Sequence, residues 1–243
     1  MKKNILILLA LTILSCQKDK NDKENINQKN VTKTKQKQVE NENIKIEAFE
    51  SKSQFFWDYF KENEDKIYNF DKLSKDEQQE IWRQLHIRLS VINEALGVEM
   101  STVPKNGKKE LIITANGLVD LFPTVRKLAA NAPKMEKWIV KPFKQRMKKV
   151  GIKTSSGIDI SSDDLYFKID SKEDKKLNIS VYMSGYEKIP ANRRREILYQ
   201  LLDGILGEED VETYLGAIED RNKKDDSYIN SDKLIEEVDK LKK

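Results

Sequence analysis

The hydrophobic period of this chain changes once, and that change limits the folds open to it. Ile81, Leu85, Leu89, Ile92 and Leu96 return every three or four residues, the spacing of one helical face. Beyond Gly97 the period moves towards two, as in a strand buried on one side. Helices first, then mostly strands with single helices between them, predict an α+β domain. In it an N-terminal helix pair and a further long helix pack on a mixed, mostly antiparallel sheet.

Local signals place the elements. Phe55, Phe56, Tyr59 and Phe60 share one helical stripe, with Ile67 further along. Trp57 is expected at its rim, where an exposed aromatic would suit a partner. Ser74 and Glu77 form a capping box that opens the second helix, and Gly97 is expected to end it. Glu110 to Ala115 reads as a strand with Asn116-Gly117 as its turn. Pro123 suits the first turn of a short helix that Ala132-Pro133 closes. Lys137 to Phe143 is a second strand. Leu165, Phe167 and Ile169 alternate, as do Leu177, Ile179, Val181 and Met183, which predicts a hairpin across Ser171 to Lys175. Pro190 opens a helix carrying Ile197, Leu198, Leu201, Leu202, Ile205 and Leu206, with Gly207 just past its end. Val211 to Ile218 is expected as the last strand. The sequence shows no internal repeat.

The N-terminus is of another kind. Lys2 and Lys3 precede an apolar run from Ile5 to Leu14, too short to cross a bilayer, which takes about 20 residues. Ile13-Leu14-Ser15-Cys16 resembles the lipobox of bacterial lipoproteins. By that resemblance residues 1–15 are a signal peptide, and Cys16, the sole cysteine of the 243 residues, is the lipid (palmitate) attachment site and first mature residue. Gln17-Lys18-Asp19 resembles the export signal that carries Bacteroidetes lipoproteins to the outer face of the outer membrane. The expected location is therefore the bacterial outer membrane, facing the periplasm or the cell surface. Residues 16–50 then comprise the lipidated cysteine and a polar tether expected to be disordered, residues 51–222 a single domain, and 223–243 a charged tail that ends in a short helix.

The formal charge of +4 hides two blocks. Lys141, Lys144, Arg146, Lys148, Lys149 and Lys153 lie in a window without an acid, whereas Glu196 to Asp220 holds acids without a base. Only Phe143 interrupts the basic block, so it lacks the interleaved aromatics of a nucleic-acid surface, and no nucleic-acid partner is expected. One Cys and one His exclude a disulfide scaffold, a zinc ribbon and a Cys/His nucleophile pair. His86 has no recognisable nucleophile or orienting partner. Asp159, Asp163 and Asp164 lack the EF-hand spacing. Gly204-Ile205-Leu206-Gly207 sits at a helix end, which fails the context of a phosphate loop. No cofactor, metal or catalytic residue is assigned. Glu208, Glu209, Asp210 and Glu212 form an acidic cluster read as a partner surface together with Trp57, or as the carboxylate pair of a hydrolase.

Several stretches together resemble a family of uncharacterised bacterial proteins. They are Phe56 to Phe60, Lys109 to Gly117, Phe122 to Val125, Ala132-Pro133 with Trp138, Leu206 to Glu212, and Gly216 to Glu219. The resemblance implies one α+β domain and brings no activity, ligand or catalytic residue. The expectation is a membrane-anchored envelope lipoprotein, more a non-enzymatic protein-binding module, immunity or inhibitor protein included, than an enzyme. The alternatives are a carboxylate-dependent envelope hydrolase and a purely structural lipoprotein.

Overall fold

The computed structural model describes residues 43–154 and 157–243. The signal segment, Cys16 and the tether up to residue 42 lie outside the described residues. The chain divides into two compact units, residues 1–50 and Ser51–Lys243. In the first, residues 43–50 are helical, which corrects the disordered reading for the end of the tether. Lys45, Glu47 and Ala48 are good helix formers there.

The second unit opens with helix α1, residues 51–62. Phe56, Trp57 and Phe60 are all buried, and only Phe55 of the aromatic group is strongly exposed. The rings of Phe56 and Trp57 meet edge to face at 4.8 Å, and Phe60 meets Trp138 the same way at 5.2 Å. Trp57 is therefore core and not rim, and its indole Nε1 donates to the Leu128 carbonyl at 3.0 Å. The short α2, Glu64–Tyr68, buries Ile67. Helix α3, Lys75–Ile92, starts at the expected capping box. The Ser74 hydroxyl accepts from the Glu77 amide, and the Glu77 carboxylate accepts from the Ser74 amide. It stops at Asn93, before Gly97, which instead opens a strand.

Among the described residues the strands form two three-stranded sheets and one two-stranded ribbon, not one continuous sheet. In the first sheet β1, Gly97–Met100, runs antiparallel to β2, Lys109–Thr114, and β2 runs parallel to β3, Trp138–Pro142. The crossover from β2 to β3 carries α4, Phe122–Ala130, with Pro123 in its first turn. The ribbon pairs β4, Gly151–Lys153, with β5, Asp159–Ser161. In the second sheet β6, Leu165–Glu173, and β7, Lys176–Met183, make the expected hairpin. Its turn is the pair Asp174-Lys175, both at positive φ, as a two-residue turn between twisted strands requires. Helices α5, Ala191–Leu206, and α6, Glu208–Tyr214, then lead to β8, Leu215–Arg221, parallel to β7.

Both sheets thus follow one plan: an antiparallel pair, a helical crossover, and a third strand parallel to the middle one. No sequence repeat accompanies this topological echo. The expected strand from Val211 begins only at Leu215, because residues 208–214 are helical. Glu208, Glu209 and Asp210 stand in the first turn of α6, where the helix dipole favours negative charge.

The C-terminal segment belongs to the second unit. Helix α7, Ser231–Leu241, is capped by Asn230, whose side chain accepts from the Lys233 amide. It buries Leu234, Val238 and Leu241. These join one core with Leu165, Phe167 and Ile179 of the sheet and with Ile197, Leu201 and Leu202 of α5.

Candidate functional site

The carboxyl ends of β2 and β3 converge on the junction between α5 and α6. Ligands of sheet proteins gather at such positions, where parallel strands end. Gly207 separates the two helices at φ +92° and ψ 142°, a region open almost only to glycine. The reversal drives the next side chain, Glu208, inward until it is wholly buried.

One Glu208 oxygen, Oε1, accepts from the Thr114 hydroxyl at 2.8 Å, the Ala115 amide at 2.9 Å and the Gly117 amide at 3.3 Å. The other, Oε2, accepts from the Lys144 amide at 3.2 Å. In return the Glu208 amide donates to the Lys144 carbonyl at 3.0 Å. A buried carboxylate is tolerable only when hydrogen-bonded in this way. The consequence is mechanical: one side chain ties α6 to the ends of two strands more than sixty residues away in sequence.

Around this knot lies a ring of charge. The Lys144 ammonium sits 3.2 Å from Glu99 of β1 and 3.1 Å from Asp203 of α5. Burial works against that ammonium, but the two carboxylates outweigh it and hold its pKa above the ordinary lysine value. Asp203 is pushed up to about 6, chiefly by burial, against the pull of Lys144 and with a further push from Glu208 and Glu212. Glu212 is also raised, by burial first, with Lys176 opposing and Glu208 reinforcing.

The Asp203 shift has a definite sign for stability. Its folded pKa of about 6 lies above the ordinary 3.8, so the native state binds this proton more tightly than the unfolded chain. The contribution of Asp203 therefore improves as pH falls from about 6 towards 3.8 and worsens as pH rises through the same window. The full swing is on the order of 2–3 kcal/mol. Asp203→Asn mimics the protonated state, so its stability relative to wild type is expected to be higher at pH 7.5 than at pH 4, read from urea midpoints. A difference that stays constant with pH would remove Asp203 as the titrating group.

The two charge blocks of the sequence meet through two ion pairs. Lys144 pairs with Asp203, and Arg146 reaches Asp210 at 3.2 Å. Arg146 also grips both oxygens of Asp239 on α7, at 2.9 and 3.0 Å. This holds the Asp239 carboxyl down at about 2. Lys242 adds a 2.6 Å pair with Asp210. Of the remaining basic residues, Lys141 pairs with Glu110, Lys149 with Asp163 and Lys153 with Asp159.

The expected acidic partner surface therefore needs correction. Glu208 is buried, Asp210 is held by Arg146 and Lys242, and Glu209 pairs with Arg126. Glu212 is part-buried beside Gly117, and its carbonyl accepts from Lys176. Trp57 lies inside the α1 core and does not join the cluster. Partners distant in sequence occupy Glu208, Glu209 and Asp210, namely the Thr114, Ala115, Gly117 and Lys144 donors, Arg126, and Arg146 with Lys242, a relation that local spacing does not reveal. Asp164 is occupied in capping Ser161, and His86 lies exposed on α3. Asp203 escaped notice in the sequence, although a lone acid inside the apolar run Leu201 to Leu206 was a usable signal.

No family model, curated protein or solved structure matches the chain. The stretches Lys109 to Gly117 and Leu206 to Glu212 meet at the Glu208 carboxylate.

Proposed function

We propose that the protein is a bacterial envelope lipoprotein, held on the outer membrane by lipid at Cys16, whose folded unit is a non-enzymatic protein-binding module. An immunity or inhibitor protein is one specific form of it. The observation that carries the non-enzymatic part is the state of the central carboxylate. A general acid or nucleophile needs an oxygen free to meet substrate, whereas both Glu208 oxygens are spent on the chain's own donors. The lipobox and the polar tether support the anchored part. A lipid leash raises the local concentration of the module near a membrane partner, which lets a modest interface work.

With Glu208 buried and Glu209 and Asp210 held in ion pairs, the face offered to a partner is the outer side of α1 and α3. Phe55, Ile87 and Val91 are each 40–45% exposed there. The Arg88 guanidinium lies over the Phe55 and Tyr59 rings at 4.7 and 4.2 Å, and aromatic and arginine side chains of this kind concentrate binding energy. The competing reading, a carboxylate hydrolase, rests on Asp203 and its raised pKa.

Metabolic labelling with an alkyne palmitate, followed by membrane fractionation, tests the anchor. The expected result is label on the wild-type chain in the membrane, and a soluble, unlabelled Cys16→Ser variant. An unmodified Met1 peptide recovered from the cytosol would overturn the proposal. For the module, Phe55→Asp with Ile87→Asp is expected to keep the circular dichroism spectrum and to lose any partner that co-purifies with the wild type. Retention of every partner would clear this face of the role.

A further inference from the structure

We propose that the loops closing β2 and β3 form a binding nest for one carboxylate group, that Glu208 is its built-in ligand, and that the nest accepts a free small monocarboxylate once that side chain is removed.

The donors come from two separate segments and point at one place: the Thr114 hydroxyl and the amides of Ala115, Gly117 and Lys144. Backbone amides turned inward at left-handed residues are a recurrent way to cradle an anion. Here Asn116, Gly117 and Phe143 all have positive φ, at 50°, 80° and 64°.

The cradle is held by bonds that do not involve Glu208. The Asn116 side chain donates to the Ala95 carbonyl at 2.9 Å, and the Asn116 amide donates to the Thr114 hydroxyl at 3.0 Å. The Leu118 amide closes the turn on the Ala115 carbonyl at 3.1 Å. On the other loop, the Phe143 amide donates to the Ile113 carbonyl at 2.7 Å, and its ring packs on Phe122 at 4.6 Å. Lys144 keeps its ammonium between Glu99 and Asp203. Removal of the Glu208 carboxylate therefore leaves a preorganised set of donors with nothing to accept from them, a costly state that a small acceptor relieves.

The surrounding charge selects the class of anion. Glu208 already pushes the pKa of Asp203 and of Glu212 upward, so one negative charge is felt by both neighbours. A dianion such as sulfate doubles that repulsion, whereas a monocarboxylate restores the native charge. Size agrees, since Glu208→Ala deletes the equivalent of acetate and Glu208→Gly the equivalent of propionate.

The test is chemical rescue of the full chain at pH 7 and constant ionic strength, read from thermal midpoints by tryptophan fluorescence. In chloride, Glu208→Ala is expected to melt roughly 5–15 °C below wild type, given several lost charge-assisted bonds. Acetate should recover several of those degrees along a saturating curve. Wild type, and Glu208→Gln, whose amide fills the same volume, should respond to acetate no more than to chloride. If the alanine variant is unfolded in chloride, the return of native fluorescence in acetate becomes the readout. The nest is overturned if acetate matches chloride on Glu208→Ala, if wild type gains equally, or if an unfolded variant stays unfolded throughout the acetate series. A sulfate gain equal to that of acetate overturns the monocarboxylate assignment.

Discussion

A chain that ends at Asn222 is expected to lose the cooperative fold of its second sheet. That end is the domain boundary suggested by composition, since everything after it looks like a charged tail. The tail nevertheless inserts Leu234 and Val238 into the core with no exposure, and Leu241 with 8%. Each buried aliphatic side chain contributes about 1.5–3 kcal/mol, so the three together approach the whole net stability of a domain, about 5–15 kcal/mol. Two further losses accompany the cut. Phe167, wholly buried on β6, exchanges both backbone hydrogen bonds with Ile229, at 2.7 and 2.8 Å. Arg146 loses Asp239, its bidentate partner, and Asp210 loses Lys242. The measurement is urea unfolding followed by circular dichroism, with the intact chain as reference. A truncated chain with the same midpoint and slope would show that α7 contributes nothing to the core.

Trp57→Ala should come next in size, at about 3–5 kcal/mol, the usual cost of emptying a buried aromatic site. Trp57 is 2% exposed and makes edge contacts with Phe56 and Phe60 at 4.8 and 5.9 Å. Its indole also satisfies the Leu128 carbonyl of α4, so this residue joins the first helix to the crossover of the first sheet. Trp57→Phe separates the two effects. It keeps much of the ring volume and loses the hydrogen bond, which is worth about 1 kcal/mol with the carbonyl left buried. The expected order of thermal midpoints is wild type, then phenylalanine, then alanine. A partner-binding tryptophan at the rim would leave all three midpoints together, and that result would return Trp57 to the surface.

Helix α1 shows why a stripe is easier to read than a face. The aromatic spacing marks a buried side, but the neighbours of α1 arrive from residues 122–138, and they decide that Trp57 is covered while Phe55 stays open. The acidic run 208–212 misleads for a related reason. Its density of charge suits a partner surface, yet Gly207 reverses the chain and three acids occupy a helix start, where the dipole holds them.

Interactions closed within a few residues were legible from the order of amino acids alone. The Ser74–Glu77 cap, the proline start of α4, the Leu165 to Met183 hairpin and the apolar stripe of α5 follow from backbone geometry that each segment carries with it. The α+β class follows from their succession. Only the tertiary structure decided that Lys144 and Arg146 of the basic block pair with Asp203 and Asp210 of the acidic one, that Glu208 is a buried knot, and that α7 is core. The physical reason is separation along the chain. Lys144 and Asp203 lie 59 residues apart and Ala115 and Glu208 lie 93 apart, so their attraction leaves no periodic trace and exists only once the two sheets have brought them within hydrogen-bonding distance.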